Sequence, residues 1–130
     1  AFGTLIGSDG RDVPHLGLPG NPVSALVAFE QFGRPAILKM MGKTDLERPT
    51  IEAVLEDPIY NGDGRRVYAR VVVTKRNGIY YAKLTGHQDS NLLSSMAKAN
   101  GLAICPEEDR VKDVGEVVKV QMIDWPEGVF

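Results

Sequence analysis

The chain has 130 residues, 43% hydrophobic and 25% charged, with 17 acidic against 15 basic side chains and a formal net charge of −2. This is the balance of a soluble globular protein, one ordinary domain or a small domain with part of another, and it gives no general reason to expect nucleic acid as a partner. No apolar run approaches the ~20 residues a membrane helix needs, and no signal peptide opens the chain. Cys105 is the sole cysteine, so no intrachain disulfide can form and a reducing, cytoplasmic setting is expected. One cysteine and two histidines argue against a structural zinc site. The chain opens on Ala1, which suggests processing, truncation or a missing upstream part.

In chain order, residues 2–6 read as a short buried strand, Ser8 to Asp12 as a turn, and Val13 to Leu18 as a returning strand. A helix is predicted from Pro22 towards Met41, roughly 30 Å long if continuous. Pro35 should kink it, because a mid-helix proline removes one hydrogen bond and crowds the preceding turn. Its apolar residues, among them Val23, Leu26, Phe29, Phe32, Ile37 and Met40, wrap around much of the helix, and nothing in residues 1–21 is large enough to cover them. The segment therefore reads as the end of a larger α/β domain.

Gly42 to Pro49 is a polar linker. Strands then follow at Thr50 to Leu55, Val67 to Thr74 and Ile79 to Leu84, the last two joined by Asn77-Gly78, a strong hairpin signal. A short helix is expected from Leu92 to Ala99, stopped by Asn100-Gly101. Strands at Leu102 to Cys105 and Val117 to Ile123 close a compact β-barrel or sandwich. The fold class expected is thus mainly β with α, the strand and long helix of an α/β domain (1–45) preceding a small C-terminal β-barrel (46–130).

Two places carry candidate chemistry. In Gly17-Leu18-Pro19-Gly20-Asn21-Pro22-Val23-Ser24-Ala25, Asn21 suits an N-cap and Pro22 the first helical position. Glycines let the backbone approach a ligand, and first-turn amides favour an anion. A well-capped helix without a ligand satisfies the same residues. In the hairpin, a two-residue Asn77-Gly78 loop sets Val73 opposite Ala82 and Val71 opposite Leu84 on one apolar face. Arg70 then falls opposite Thr85 on the other face, away from the barrel core and beside the Gly86-His87-Gln88-Asp89-Ser90-Asn91 loop. A guanidinium beside hydroxyl and amide groups suits an oxyanion clamp, provided no bulge shifts the register.

The first of these motifs, continued by Phe29-Glu30 and Arg34-Pro35-Ala36, closely resembles one in the molybdopterin molybdenumtransferases, a family with gephyrin among its relatives. Thr85 to Asn91, continued through Ser94-Ser95-Met96-Ala97 and Ala99-Asn100-Gly101-Leu102, resembles a second. Their order and separation are also the family's, so the resemblance covers nearly the whole chain. It implies the C-terminal portion of an enzyme that inserts molybdate into adenylylated molybdopterin, uses Mg²⁺ and releases AMP. By the same resemblance Gly17, Pro19, Gly20, Asn21, Pro22 and Ser24 border the molybdopterin pocket. Arg70 and Ser90 face the cofactor cleft from the small domain, with Gln88 in the same motif. Asp89 stands where relatives often carry glycine or serine.

The resemblance further implies a homodimer, with molybdopterin adenylyltransferase as a further partner, and Mg²⁺ ligands lying upstream. The chain alone is therefore expected to be inactive and to hold no cofactor or metal. A protein-interaction or oligomer-supporting barrel of a gephyrin-like protein is the alternative. A single-domain adenylylating relative is disfavoured by the Gly86-to-Asn91 motif.

The remaining candidates have plainer readings. Ser90 and Asn91 can cap the helix from Leu92, and His87 reads as a turn or packing histidine. His15 has no role assigned. Arg65, Arg66, Arg70, Lys75 and Arg76 form a basic run expected to be a solvated strand face. Glu107-Glu108-Asp109 reads as an exposed loop, and Cys105 as inert core. No residue separates molybdate from tungstate.

Overall fold

The computed structural model describes residues 1–88 and 93–125. The chain divides into two compact units, Ala1–Glu47 and Arg48–Phe130.

In the first unit β1 (Phe2–Ile6) and β2 (Asp12–Leu16) pair antiparallel, with Phe2 opposite Leu16 and Ile6 opposite Asp12. The strand expected to be buried is instead exposed along its whole length, Phe2 at 85% and Ile6 at 81%. A two-stranded ribbon has no second layer of its own in which to bury a face. Asn21 caps α1 (Pro22–Ala28) as expected, its Oδ1 accepting from the amides of Val23 at 3.2 Å and Ser24 at 3.4 Å, with Pro22 opening the helix.

The helical run does not simply kink at Pro35. A π-helical segment, Phe29–Gly33, intervenes before α2 (Arg34–Met40), and the Arg34 amide donates back to the Phe29 carbonyl. Pro35 has no N–H to give, so the irregularity falls one turn upstream, where a wider turn relieves its ring. Gly33 is buried there: a Cβ would stand 2.6 Å from the Phe29 ring.

The second unit is a closed five-stranded barrel in the order β3-β6-β5-β7-β9. Its strands are β3 (Thr50–Leu55), β5 (Val67–Arg76), β6 (Ile79–Leu84), β7 (Gly101–Cys105) and β9 (Val117–Met122). β4 (Ile59–Tyr60) and β8 (Val111–Lys112) form a separate ribbon that sequence reading missed, each too short to show an alternation. Alternate residues point inward, so Leu55, Ala69, Val71, Val73, Ala103, Cys105, Val120 and Met122 make the core.

The β5–β6 register is the one the turn dictates, Val73 opposite Ala82 and Val71 opposite Leu84. Asn77 and Gly78 both take positive φ, 50° and 80°, as a tight hairpin turn of this kind requires. α3 (Leu93–Lys98) packs on β5. No helix among the described residues is long and apolar enough to cross a membrane.

Candidate functional site

Arg70 lies on β5 between the inward-facing Ala69 and Val71 and therefore points out of the barrel. Its register partner on β7 is Leu102, which is fully buried yet also outside the barrel core. A layer thus exists between the barrel wall and α3, and Arg70 occupies it at 5% exposure. The basic run is accordingly not one solvated face. Arg65, Arg66 and Arg76 are exposed, Arg66 pairing with Glu107 and Arg76 with Glu56, whereas Arg70 is covered.

Among the described residues of the second motif, Thr85, Gln88 and Ser95 hold Arg70. Gln88 takes its backbone on both sides, Oε1 accepting from the Arg70 amide at 2.8 Å and Nε2 donating to the Arg70 carbonyl at 3.3 Å. Ser95 on α3 takes its side chain, Oγ accepting from Arg70 Nε at 3.0 Å. The Thr85 amide also donates to the Arg70 carbonyl, at 3.1 Å, continuing the hairpin ladder one step past Leu84. The expected juxtaposition of Arg70 with the Gly86-to-Gln88 loop is therefore present. Ser90, with Asp89, Asn91 and Leu92, lies outside the described residues.

Beside this loop is an open cavity of about 540 Å³. Pro58, Val67 and Leu84 supply apolar wall, and Asp57, Lys83, His87 and Gln88 supply polar groups. Asp57 is committed to structure, its Oδ2 accepting from the Leu84 amide at 3.0 Å. His87 is exposed at the rim.

In the first unit, Gly17 and Asn21 are half-buried, Pro19, Gly20 and Pro22 are exposed, and Ser24 gives its amide to the Asn21 cap. The loop thus presents backbone to its surroundings just before a capped helix start.

Sequence reading missed the part played by Ser95 and by Asn100. Asn100 pairs with both backbone groups of Val73, much as Gln88 pairs with Arg70. One of two adjacent helical serines and an asparagine before a glycine carry no signal for such contacts, although both sit inside the second motif. Cys105 is buried, and desolvation, reinforced by the nearby Asp109 carboxylate, pushes its thiol pKa up, which suits inert core.

Residues 52–123, most of the second unit, match the family described as the MoeA C-terminal region (domain IV). The chain belongs to this family. It is similar to molybdopterin molybdenumtransferase 2 of Mycobacterium tuberculosis, 38% identical over 111 residues, which is 85% of this chain and 26% of that protein. Molybdopterin molybdenumtransferase 1 of the same organism is 37% identical over 127 residues, 94% of this chain and 29% of the relative. A crystal structure of the molybdopterin biosynthesis MoeA protein from Pyrococcus horikoshii superposes with a TM-score of 0.66 at 29% identity, over 80% of this chain and 26% of that one. The chain spans about a quarter of the length of these relatives. The resemblance drawn from two motifs is thereby borne out, and the barrel is a MoeA-like C-terminal domain of molybdenum cofactor biosynthesis.

Proposed function

We propose that the chain is the C-terminal portion of a molybdopterin molybdenumtransferase, acting in the insertion of molybdate into adenylylated molybdopterin with release of AMP. The family match over residues 52–123 carries this reading, and relatives named molybdopterin molybdenumtransferase support a transfer of molybdenum to molybdopterin. In the barrel, Arg70, Gln88 and Ser90 are the residues proposed for the cleft, Arg70 as the oxyanion clamp. A guanidinium held in a covered layer is drier and stiffer than one in solvent, and both properties strengthen its hold on an oxyanion. Gly17, Pro19, Gly20, Asn21, Pro22 and Ser24 are proposed to border the molybdopterin pocket.

Mg²⁺ serves this reaction in the proposal, but the residues present do not fit it. Among the described residues no group of three or more His, Cys, Asp or Glu side chains could hold a metal ion. Glu107 is turned to Arg66 and Asp109 to Lys112. No step is therefore assigned to Mg²⁺ on this chain. A homodimer, association with molybdopterin adenylyltransferase and a cytoplasmic location belong to the same proposal.

A second reading, an oligomer-supporting or interaction barrel, is favoured by one observation. Tyr60 and Val111 are register partners on the β4–β8 ribbon, and both are exposed. AMP release from adenylylated molybdopterin with Mg²⁺ and molybdate, measured on the full-length parent, decides between them. Turnover supports the transferase, and silence moves the assignment to the interaction module.

A further inference from the structure

The cavity beside the Gly86-to-Gln88 loop holds groups that the proposed oxyanion clamp does not use. Asp57 lines it where β3 leaves β6: the last pair of those strands is Leu55 with Ala82, and the Leu84 amide beyond it is taken by Asp57 Oδ2 at 3.0 Å. Asp57 Oδ1 makes no bond among the described residues. Each carboxylate oxygen has two lone pairs, so the group can still accept from a ligand. Lys83 also lines the cavity, is exposed, and has no ion-pair partner among the described residues. Pro58, Tyr60, Val67 and Leu84 supply apolar surface, and the volume of about 540 Å³ is that of a small-molecule site. Gln88 pins the loop side, its Nε2 donating to the Gly86 carbonyl at 3.0 Å as it pairs with the Arg70 backbone.

An acceptor, a cation and apolar wall in one cavity select a flat heterocycle that carries adjacent N–H donors and an anionic substituent. A pterin has that edge: its N3–H and 2-amino group lie side by side and match the two oxygens of a carboxylate, as a guanidinium does. Adenine presents one donor beside one acceptor, and its ring nitrogen would face a carboxylate oxygen. We propose that this cavity holds the pterin ring of adenylylated molybdopterin, with Asp57 reading the N3–H and 2-amino edge and Lys83 an anionic group carried beyond the ring. The choice of a pterin among such heterocycles rests on the transferase reading.

The probe is pterin-6-carboxylate, which is fluorescent. The 130-residue chain should bind it saturably, with NMR shifts centred on the amides of Val67, Leu84 and Gly86. Asp57→Asn keeps an oxygen for the Leu84 amide but puts an amide donor in place of the other oxygen. It should weaken binding about tenfold or more with Tm nearly unchanged. Lumazine-6-carboxylate, in which an oxo group replaces the 2-amino donor, should bind the unaltered chain more weakly by a similar factor, and Asp57→Asn should discriminate less between the two. Lys83→Gln should weaken pterin-6-carboxylate and leave unsubstituted pterin unaffected. Absent binding, equal binding of pterin and lumazine, shifts centred elsewhere, or displacement by AMP each overturns the inference.

A turnover measurement ties the cavity to the substrate. In the full-length parent Asp57→Asn should raise KM for adenylylated molybdopterin about tenfold, with kcat within about twofold. Probe binding with that KM unchanged overturns the assignment to the substrate. If the unaltered parent releases AMP and the chain ignores the probe, this inference alone fails. If the parent is silent while the cavity binds the probe, the transferase reading fails and the pterin site stands.

Discussion

Asn100 extends the pairing of β5 with β7 from the residue just before β7 begins. Its Oδ1 accepts from the Val73 amide at 2.7 Å and its Nδ2 donates to the Val73 carbonyl at 3.0 Å, two residues beyond the last β5–β7 pair, Val71 with Gly101. Gln88 does the same for Arg70 on the other side of β5, just past the last β5–β6 pair. Two side-chain carboxamides thus stand in for backbone where the neighbouring strands depart. Unmatched backbone groups there would be costly once covered.

Asn100→Ala removes both of its bonds and leaves Val73 N and O unmatched. It is expected to lower the unfolding free energy by about 2–3 kcal/mol, read as a shift of the urea midpoint at unchanged slope. A change below about 0.5 kcal/mol would show that water replaces the carboxamide.

Gly101→Ala tests a tightly packed point of the barrel. A Cβ there would lie 2.7 Å from Val120 Cγ1 and 3.3 Å from Val73 Cγ2, both on core side chains. The expected loss is about 1–3 kcal/mol by the same denaturant measurement, since overpacking forces neighbours from their rotamers.

Alkaline pH should weaken the fold through Cys105. Burial first, then Asp109, holds its thiol pKa above the ordinary value. As the pH rises past the ordinary thiol range, near ~8.5, the unfolded chain ionises while the folded chain does not, so stability present below that pH is lost above it. Cys105→Ala should flatten the slope of Tm between about pH 8 and 10. An unchanged slope would assign the alkaline loss to other groups. The thiol should also resist alkylation until the chain unfolds.

Acid should act through Glu107 in the opposite sense. A bond from its own backbone amide, then Arg66, lowers its pKa. Its contribution is present above the ordinary carboxylate range and lost as pH falls through the depressed folded value. Because the pair is exposed, Glu107→Gln should change Tm only slightly at neutral pH and should reduce the acid-induced fall. Added salt should mask the difference, and a difference insensitive to salt would contradict the ion-pair origin.

Without its parent the 130-residue chain is expected to give no AMP release. Detectable turnover by the chain alone would overturn the division of labour proposed here. In the parent, Arg70→Ala should reduce AMP release at limiting molybdate by about tenfold or more, with the circular-dichroism spectrum unchanged.

The hairpin shows how much local chemistry decides alone. Asn77-Gly78 sets a two-residue turn, the turn sets Val73 against Ala82, and alternation then sends Arg70 out of the barrel; each step involves only neighbours in sequence or across one ladder. The Asn21 cap and the five barrel strands were legible for the same reason, and the two motifs pointed to the family. What the sequence could not determine was contact between distant segments. Arg70 sits among the basic residues of a run, and only the packing of α3 on β5 makes it a buried guanidinium bound to Ser95. The strand roles of Gln88 and Asn100 depend on where β6 and β7 leave β5. The exposure of β1 and the π segment before Pro35 likewise follow from what packs around a residue, which periodicity along a chain does not encode.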